Sequence, residues 1–152
     1  MGEADYKSPD LDLVGAAHVT RYRETDGEVG YIWNGVTALL LTTKGRRSGA
    51  PKTSALIFGR HEGDYLVVAS QGGAPTHPNW YLNLLETPDA EIQVRADHVP
   101  VVARTASPEE KPQMWKVMTD LWPNYDVYQT RTDRSIPLVV LTPTNEDMRN
   151  ER

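Results

Sequence analysis

Residues 42–53, TTKGRRSGAPKT, gather Lys44, Arg46, Arg47 and Lys52 around two glycines and a serine. No Asp or Glu occurs between Glu28 and Glu62, so these cations have no carboxylate neighbour along the chain. Like charges held together repel, and they gain by taking an anion. A guanidinium fork suits phosphate or carboxylate, each charge-assisted bond being worth about 1.5–3 kcal/mol. Gly45 and Gly49 would let successive backbone N–H groups converge on that anion, and Ser48 adds a hydroxyl. The plainer reading is a solvated basic turn. The spacing is not that of the GxxxxGK[ST] phosphate loop.

A second stretch is defined by what it lacks. From Tyr65 to Leu85 there is no Asp, Glu, Lys or Arg. ASQGGAPTHPNWY therefore offers an uncharged, glycine-lined surface carrying Ser70, Gln71, Asn79 and Trp80, with Asn83 just beyond. A flat heterocycle could lie along it, its edge met by backbone amides and Trp80 forming a wall. On its own the stretch reads equally well as a tight connection with Trp80 in the core. Beside the cationic loop it favours a two-part ligand with a planar neutral head and a phosphate-bearing tail.

The third stretch is LWPNYDVYQT. Trp122, Tyr125 and Tyr128 recur at intervals of three, so a short helical turn would put them on one face. They read either as packing or as an apolar lid with hydroxyls, against which a second substrate could stack. Other chemistry is thin. His18, His61, His77 and His98 have no metal-ligand spacing, so no metal site is expected. There is no cysteine, and no GxSxG, HExxH or paired-carboxylate motif. A cofactor would have to supply any difficult chemistry.

Elements to position these residues can be read along the chain. Its 152 residues suit one domain, and a net charge of −5 argues against a nucleic-acid binder. The lack of cysteine excludes disulfides, and the polar first ten residues are no secretory signal. No apolar run approaches the roughly 20 residues a membrane helix needs. A helix is expected within 11–27, ending near Gly27. Strands are expected at 36–43, 52–59 and 64–70, with RHEG as the turn between the last two. Pro78 should open a helix that Pro88 stops. AEIQVR and HVPVVART should pair across AD. Ser107-Pro108-Glu109-Glu110 is a capping box with Pro108 at the first helical position, and Pro123 should end that helix. PLVVLTP is the last strand. About six strands and four helices, without βαβ alternation, predict an α+β, mainly β fold: a closed or split antiparallel barrel with helices packed outside. Residues 1–16 are expected to be a helical or disordered lead-in, 17–143 the domain, and 144–152 a flexible tail.

LLLTTKGRRSG, VVASQGGAPTHPNWYLNLLETPDAEIQV and WPNYDVYQTRTDRSIPLVVL, in this order, resemble the deazaflavin (coenzyme F420)-dependent nitroreductase family of actinobacteria, which includes F420H2-dependent quinone and enone reductases. The similarity spans about residues 17–143. It implies a split β-barrel related to flavin-mononucleotide (FMN)-binding oxidoreductases but binding F420. The reduced cofactor would pass a hydride to a small electron-poor acceptor: a quinone, an enone or coumarin-like lactone, or a nitroaromatic. The resemblance assigns the anionic tail to Arg46, Arg47, Ser48, Gly49 and Lys52. It assigns the ring to Val68, Ala69, Ser70, Gln71 and Gly72, with Asn79, Trp80, Tyr81 and Asn83 beside them. Tyr125 and Tyr128 match tyrosines on the substrate side, with Trp122 completing it. Tyr125 and Ser70 are the expected hydrogen-bond or proton donors. Two residues depart from the pattern: Gln71 stands where many members have Lys, and Trp122 replaces a tyrosine of nitroimidazole-reducing members. The N-terminal region lacks the long basic amphipathic segment linked to membrane contact in some relatives, so peripheral membrane binding is disfavoured. A cytoplasmic monomer or weak dimer without nucleic-acid partners is expected. The alternatives are an FMN-dependent flavoprotein of the same fold and, less favoured, a non-enzymatic barrel that holds a polyanion.

Overall fold

The computed structural model describes residues 13–144. The expectations for 1–12 and 145–152 therefore lie outside the described residues. The elements are α1 (Gly15–Thr25), β1 (Ile32–Trp33), β2 (Val36–Lys44), β3 (Pro51–Ile57), β4 (Gly59–His61), β5 (Asp64–Val68), α2 (Asn79–Glu86), β6 (Asp89–Val94), β7 (Asp97–Thr105), α3 (Lys111–Leu121), α4 (Asn124–Thr130) and β8 (Leu138–Pro143). A 3-10 turn at Gln71–Gly73 lies between β5 and α2.

Every strand pairing is antiparallel, and the ladder runs β2-β6-β7-β8-β5-β4. Its two ends are joined through Phe58. β3 pairs with β2 along Ala38↔Ile57 to Lys44↔Pro51, and the chain then passes through Phe58 into β4. Phe58 N–H donates to Thr37 O at 3.1 Å, and Thr37 Oγ1 donates to Phe58 O at 3.2 Å. The result is a curled antiparallel barrel-like sheet, mainly β, with the helices outside, as the strand grammar implied.

Alternation along the strands divides the apolar residues between two faces. Leu39, Leu41, Tyr65, Val67, Ile92, Val99, Val139 and Leu141 fill the interior, which Trp80, Tyr81 and Leu84 of α2 cap. Leu66, Val68, Leu138 and Val140 point the other way, onto Met114 and Met118 of α3 and Tyr125 and Tyr128 of α4. α1 is fixed by fully buried Tyr22. Its hydroxyl lies 3.1 and 3.2 Å from the Ala38 and Gln93 carbonyls and accepts Arg95 N–H at 2.8 Å. Burial pushes that hydroxyl up to about 12.

Several boundaries differ from expectation, each for a local reason. Among the described residues eight strands form rather than about six, because β1 is a two-residue addition on β2 and the bend at Phe58 splits one expected strand into β3 and β4. RHEG is not all turn. Arg60 and His61 are in β4, and the turn is Glu62-Gly63, both with positive φ (50° and 87°), the twist a two-residue hairpin favours. The β6–β7 turn is Arg95-Ala96, one residue earlier than AD, where the Tyr22 hydroxyl takes the Arg95 N–H. The capping box does form: Ser107 N–H donates to Glu110 Oε2 (2.7 Å), and Glu110 N–H to Ser107 Oγ (3.4 Å). Regular helix begins only at Lys111, because Pro112 has no N–H for the preceding turn.

Candidate active site

The basic loop caps the β2–β3 hairpin and faces the start of α2. Its backbone does not form the expected nest. Gly45 N–H is taken by Ala50 O and Gly49 N–H by Gly45 O, both at 2.8 Å, and Ala50 N–H goes to Ser48 Oγ at 3.1 Å. These three amides close the turn on itself and are not turned toward an outside anion. Arg46 is itself a structural clamp. Its backbone N–H and guanidinium both donate to Asn83 Oδ1 (3.2 and 2.9 Å), and the guanidinium reaches Asn79 Oδ1 at 3.3 Å. Asn83, almost wholly buried, gives its Nδ2–H to Thr43 Oγ1 at 3.0 Å. Arg47, Ser48 and Lys52 are exposed. With Gly45, Arg46, Ser54, Asn79, Trp80 and Asn83 they line a compartment of about 480 Å³ that contains no carboxylate.

A second compartment, about 360 Å³, adjoins it, and Ser54 and Trp80 line both. Its walls come from β3 (Ser54–Ile57), the end of β5 and the β5–α2 connection (Val68, Ser70, Gln71, Gly72, Pro78), the aromatic segment (Trp122, Tyr125, Tyr128), and α1 and β1 (His18, Trp33). Among the described residues no Asp, Glu, Lys or Arg lines it. The connection is held from behind by Arg134. That guanidinium donates to the carbonyls of Ser70 (2.7 Å), Ala74 (2.8 Å) and Ala69 (3.2 Å), and lies 3.1 Å from His77 Nδ1. Burial, then the Arg134 charge, holds the His77 imidazole below its ordinary value. Arg131 adds a bond to Gly72 O at 3.3 Å. Gly73 is needed here: its φ is +85°, and a Cβ would sit 2.6 Å from Tyr128 O.

The aromatic wall is continuous. Trp122 packs on Trp33 (centroids 5.4 Å apart), and the Tyr125 and Tyr128 rings meet edge to face at 6.1 Å. Trp122 Nε1–H and Asn124 Nδ2–H both point at the Tyr128 hydroxyl, at 3.5 and 3.4 Å. Burial pushes the Tyr125 hydroxyl above its ordinary value, so it stays protonated.

The site residues singled out from sequence line one or other of two joined compartments, with three exceptions. Gly49 stays within the turn, its N–H taken by Gly45 O, and lines neither. Ala69 turns into the barrel interior. Tyr81 packs in that interior too, its hydroxyl 2.8 Å from Thr105 Oγ1, and lines neither compartment. Sequence reasoning missed Ser54, Ala55, Leu56 and Ile57, which read only as a strand although all are half-buried in the wall. It missed Trp33 and His18, which arrive from outside the motifs, and Arg134, whose role depends on carbonyls about 65 residues away. Among the described residues no group of His, Asp or Glu is arranged to hold a metal ion, and no helix is long and apolar enough to cross a membrane.

Comparison with known proteins identifies the family. A family described as F420H(2)-dependent quinone reductase matches residues 15–143. An F420H(2)-dependent quinone reductase of Mycobacterium tuberculosis (strain ATCC 25618 / H37Rv) is 40% identical, the match covering 82% of this chain and 87% of the relative. A solved F420-H2 dependent reductase is 37% identical with a TM-score of 0.64, over 68% of this chain and 92% of its own. Another solved structure, a domain-swapped dimer, is 33% identical with a TM-score of 0.66, over 81% and 93%. Of the two cofactors weighed from sequence, these findings select F420 over FMN. The chain belongs to the F420H(2)-dependent quinone reductase family, and is an oxidoreductase that draws its hydride from reduced F420.

Proposed function

We propose that this enzyme reduces a quinone held in the uncharged compartment, and that the compartment beside it holds the cofactor's anionic tail. One observation carries the reading: two joined spaces of opposite character, one lined by Arg46, Arg47 and Lys52, the other by no formal charge, meeting at Ser54 and Trp80. A phosphodiester and oligoglutamate chain suits the first, and a planar ring suits the second. When bound, reduced F420 supplies a hydride. The chain's own part is placement.

Arg47 and Lys52 are exposed cations able to turn onto the tail, while Arg46, tied to Asn79 and Asn83, keeps the loop registered against α2. Ser70, Gln71 and Gly72 form the floor that Arg134 fixes. Trp122 and Tyr128 give the acceptor a face to stack on, and stacking excludes water from the reacting side. Tyr125, held protonated by burial, can donate to an acceptor oxygen as charge gathers there, with Ser70 as a second donor. Holding both reactants in one rigid slot makes the transfer effectively unimolecular. A quinone is favoured among the acceptors because the slot is flat, aromatic and uncharged. A cytoplasmic setting, where the reductant can be regenerated, belongs to this reading.

The test is equilibrium binding of F420 and FMN, followed by oxidation of reduced F420 with quinone, enone and nitro acceptors. Arg47→Glu should weaken F420 at least tenfold with an unchanged melting temperature, since Arg47 is exposed. Undiminished F420 affinity in that variant would remove the tail from this loop.

A further inference from the structure

Hydride alone does not complete the reduction of a quinone. The product of its transfer is a hydroquinone anion, and one proton must still reach the remaining oxygen. Among the described residues, the wall of the uncharged compartment has no Asp, Glu, Lys or Arg to give it. Its tyrosines are weak acids, and burial weakens Tyr125 further. His18 remains, and imidazole is the side chain suited to passing protons near neutrality.

His18 lies on α1, is 5% exposed and lines the compartment. Its Nε2 is 2.9 Å from Gly30 O. A carbonyl only accepts, so Nε2 carries a hydrogen in the neutral ring and Nδ1 carries the lone pair. The orientation is held from the other side as well. Gly30 has φ +105°, and a Cβ there would lie 2.9 Å from His18 Cδ2 and 3.1 Å from Nε2. That edge of the ring therefore faces Gly30, and Nδ1, opposite it in a five-membered ring, faces away. The ring stacks on Trp33 at 6.0 Å and 23°, and Trp33 packs on Trp122, so the imidazole ends the aromatic row that walls the compartment.

We propose that His18 is the proton donor to the reduced acceptor. The imidazolium Nδ1–H bond breaks, its electron pair stays on Nδ1, and the proton bonds to the acceptor oxygen. The two electrons come with the hydride from reduced F420, and solvent returns a proton to Nδ1. Among the described residues, the titratable side chains beside His18 or sharing its compartment are Tyr22 on its own helix and Tyr125 and Tyr128; burial pushes the Tyr22 and Tyr125 hydroxyls up. The assignment rests on a quinone or other oxygen-ending acceptor occupying this compartment.

The experiment compares wild type with His18→Gln, whose amide can keep the bond to Gly30 O but cannot titrate. F420 affinity by fluorescence, kcat against pH with a soluble benzoquinone, and melting temperature would be measured. Imidazole nitrogen shifts of the wild type, without cofactor, would be followed by NMR from pH 5 to 9. The expected result is F420 affinity within about twofold and kcat lowered about 100-fold, within the range for a general acid. The wild-type fall in kcat with rising pH should match the His18 titration seen by NMR and vanish in the variant. A His18→Gln enzyme within threefold of wild type, a preserved alkaline fall, or an imidazole with hydrogen on Nδ1 in its neutral form would each overturn the proposal. Failure of the wild type to bind F420 or reduce the quinone would instead remove the functional reading beneath it. If the variant does not fold, the tautomer and the match between the NMR titration and wild-type kcat still decide.

Discussion

Arg134→Lys tests how the floor of the ring compartment is held. The guanidinium spans three backbone carbonyls, Ala69, Ser70 and Ala74, at 3.2, 2.7 and 2.8 Å, and no other side chain reaches all three. A lysine keeps the charge but brings one compact ammonium, which cannot bridge acceptors on both sides of the connection. Two bonds are therefore lost. In isolation each charge-assisted bond is worth about 1.5–3 kcal/mol, but Arg134 is half-buried and water can replace part of the loss. A net of about 1 kcal/mol each, or about 2 kcal/mol in all, is the reasonable figure. The loosened loop must then be ordered by the ligand, so the loss appears in binding as a roughly 30-fold weaker F420 affinity. Because the loop can open without the barrel opening, the melting temperature should fall by only about 2–4 °C. Titration of F420 fluorescence and a thermal melt on the same preparation give both numbers. An affinity within twofold of wild type would show that the loop holds itself, and would refute the assignment of Arg134 as its fixer.

Two further substitutions bear on positions the structure makes critical. Gly73→Ala should cost about 2–4 kcal/mol, since it combines a left-handed backbone with a Cβ 2.6 Å from Tyr128 O, and it should lower both melting temperature and F420 affinity; a neutral result would contradict the packing of the 3-10 turn on α4. Glu110 is held at about 2 by the Arg104 guanidinium and then by the Ser107 N–H, so its folded-state pKa lies below the unfolded value near 4.5. Its contribution to stability is present above pH 4.5 and is lost as the pH falls toward 2. Glu110→Gln should flatten that acid limb in pH-dependent melts and leave stability less changed at pH 3 than at pH 7, and an unaltered limb would show that the capping box does not depend on its charge.

The parts of this molecule legible in the sequence are those whose signal is local. VTALLLTT reads as a buried strand because both faces of β2 are covered, and the Ser107–Glu110 box forms as its letters say. The charge gap from 65 to 85 supplies Val68, Ser70, Gln71, Gly72, Pro78 and Trp80 to one wall of the uncharged compartment. What escaped the reading depends on contacts that no window of sequence contains. The bend at Phe58 follows from β3 belonging to β2 and β4 to β5, which only the closed ladder dictates. Gly45 and Gly49 looked like an anion nest, yet their N–H groups are used within the turn, a choice fixed by the Lys44↔Pro51 register. Tyr81 sat among site residues in sequence but lies on the face of α2 turned to the barrel interior, while Trp80, one residue earlier, reaches the compartments.

The distribution of charge around the site follows one logic. Gln71 gives the uncharged compartment an amide rather than a cation, and the nearby arginines are turned elsewhere: Arg131 and Arg134 grip the carbonyl side of the connection, and Arg46 grips α2. Each of these guanidiniums is spent on oxygen atoms of the protein, which leaves Arg47 and Lys52 as the exposed cations lining the compartment. A compartment lined by no Asp, Glu, Lys or Arg among the described residues neither attracts bulk anions nor stabilises an acceptor before it reacts, so on the proposed function charge created by hydride transfer meets protein dipoles, hydroxyls and the His18 imidazole. In so neutral a space a single titratable group governs the pH response, whereas the tail compartment governs affinity and its salt dependence. Rate and affinity should therefore separate experimentally: salt should weaken F420 binding while leaving kcat at saturation unchanged, and pH should do the reverse across the neutral range.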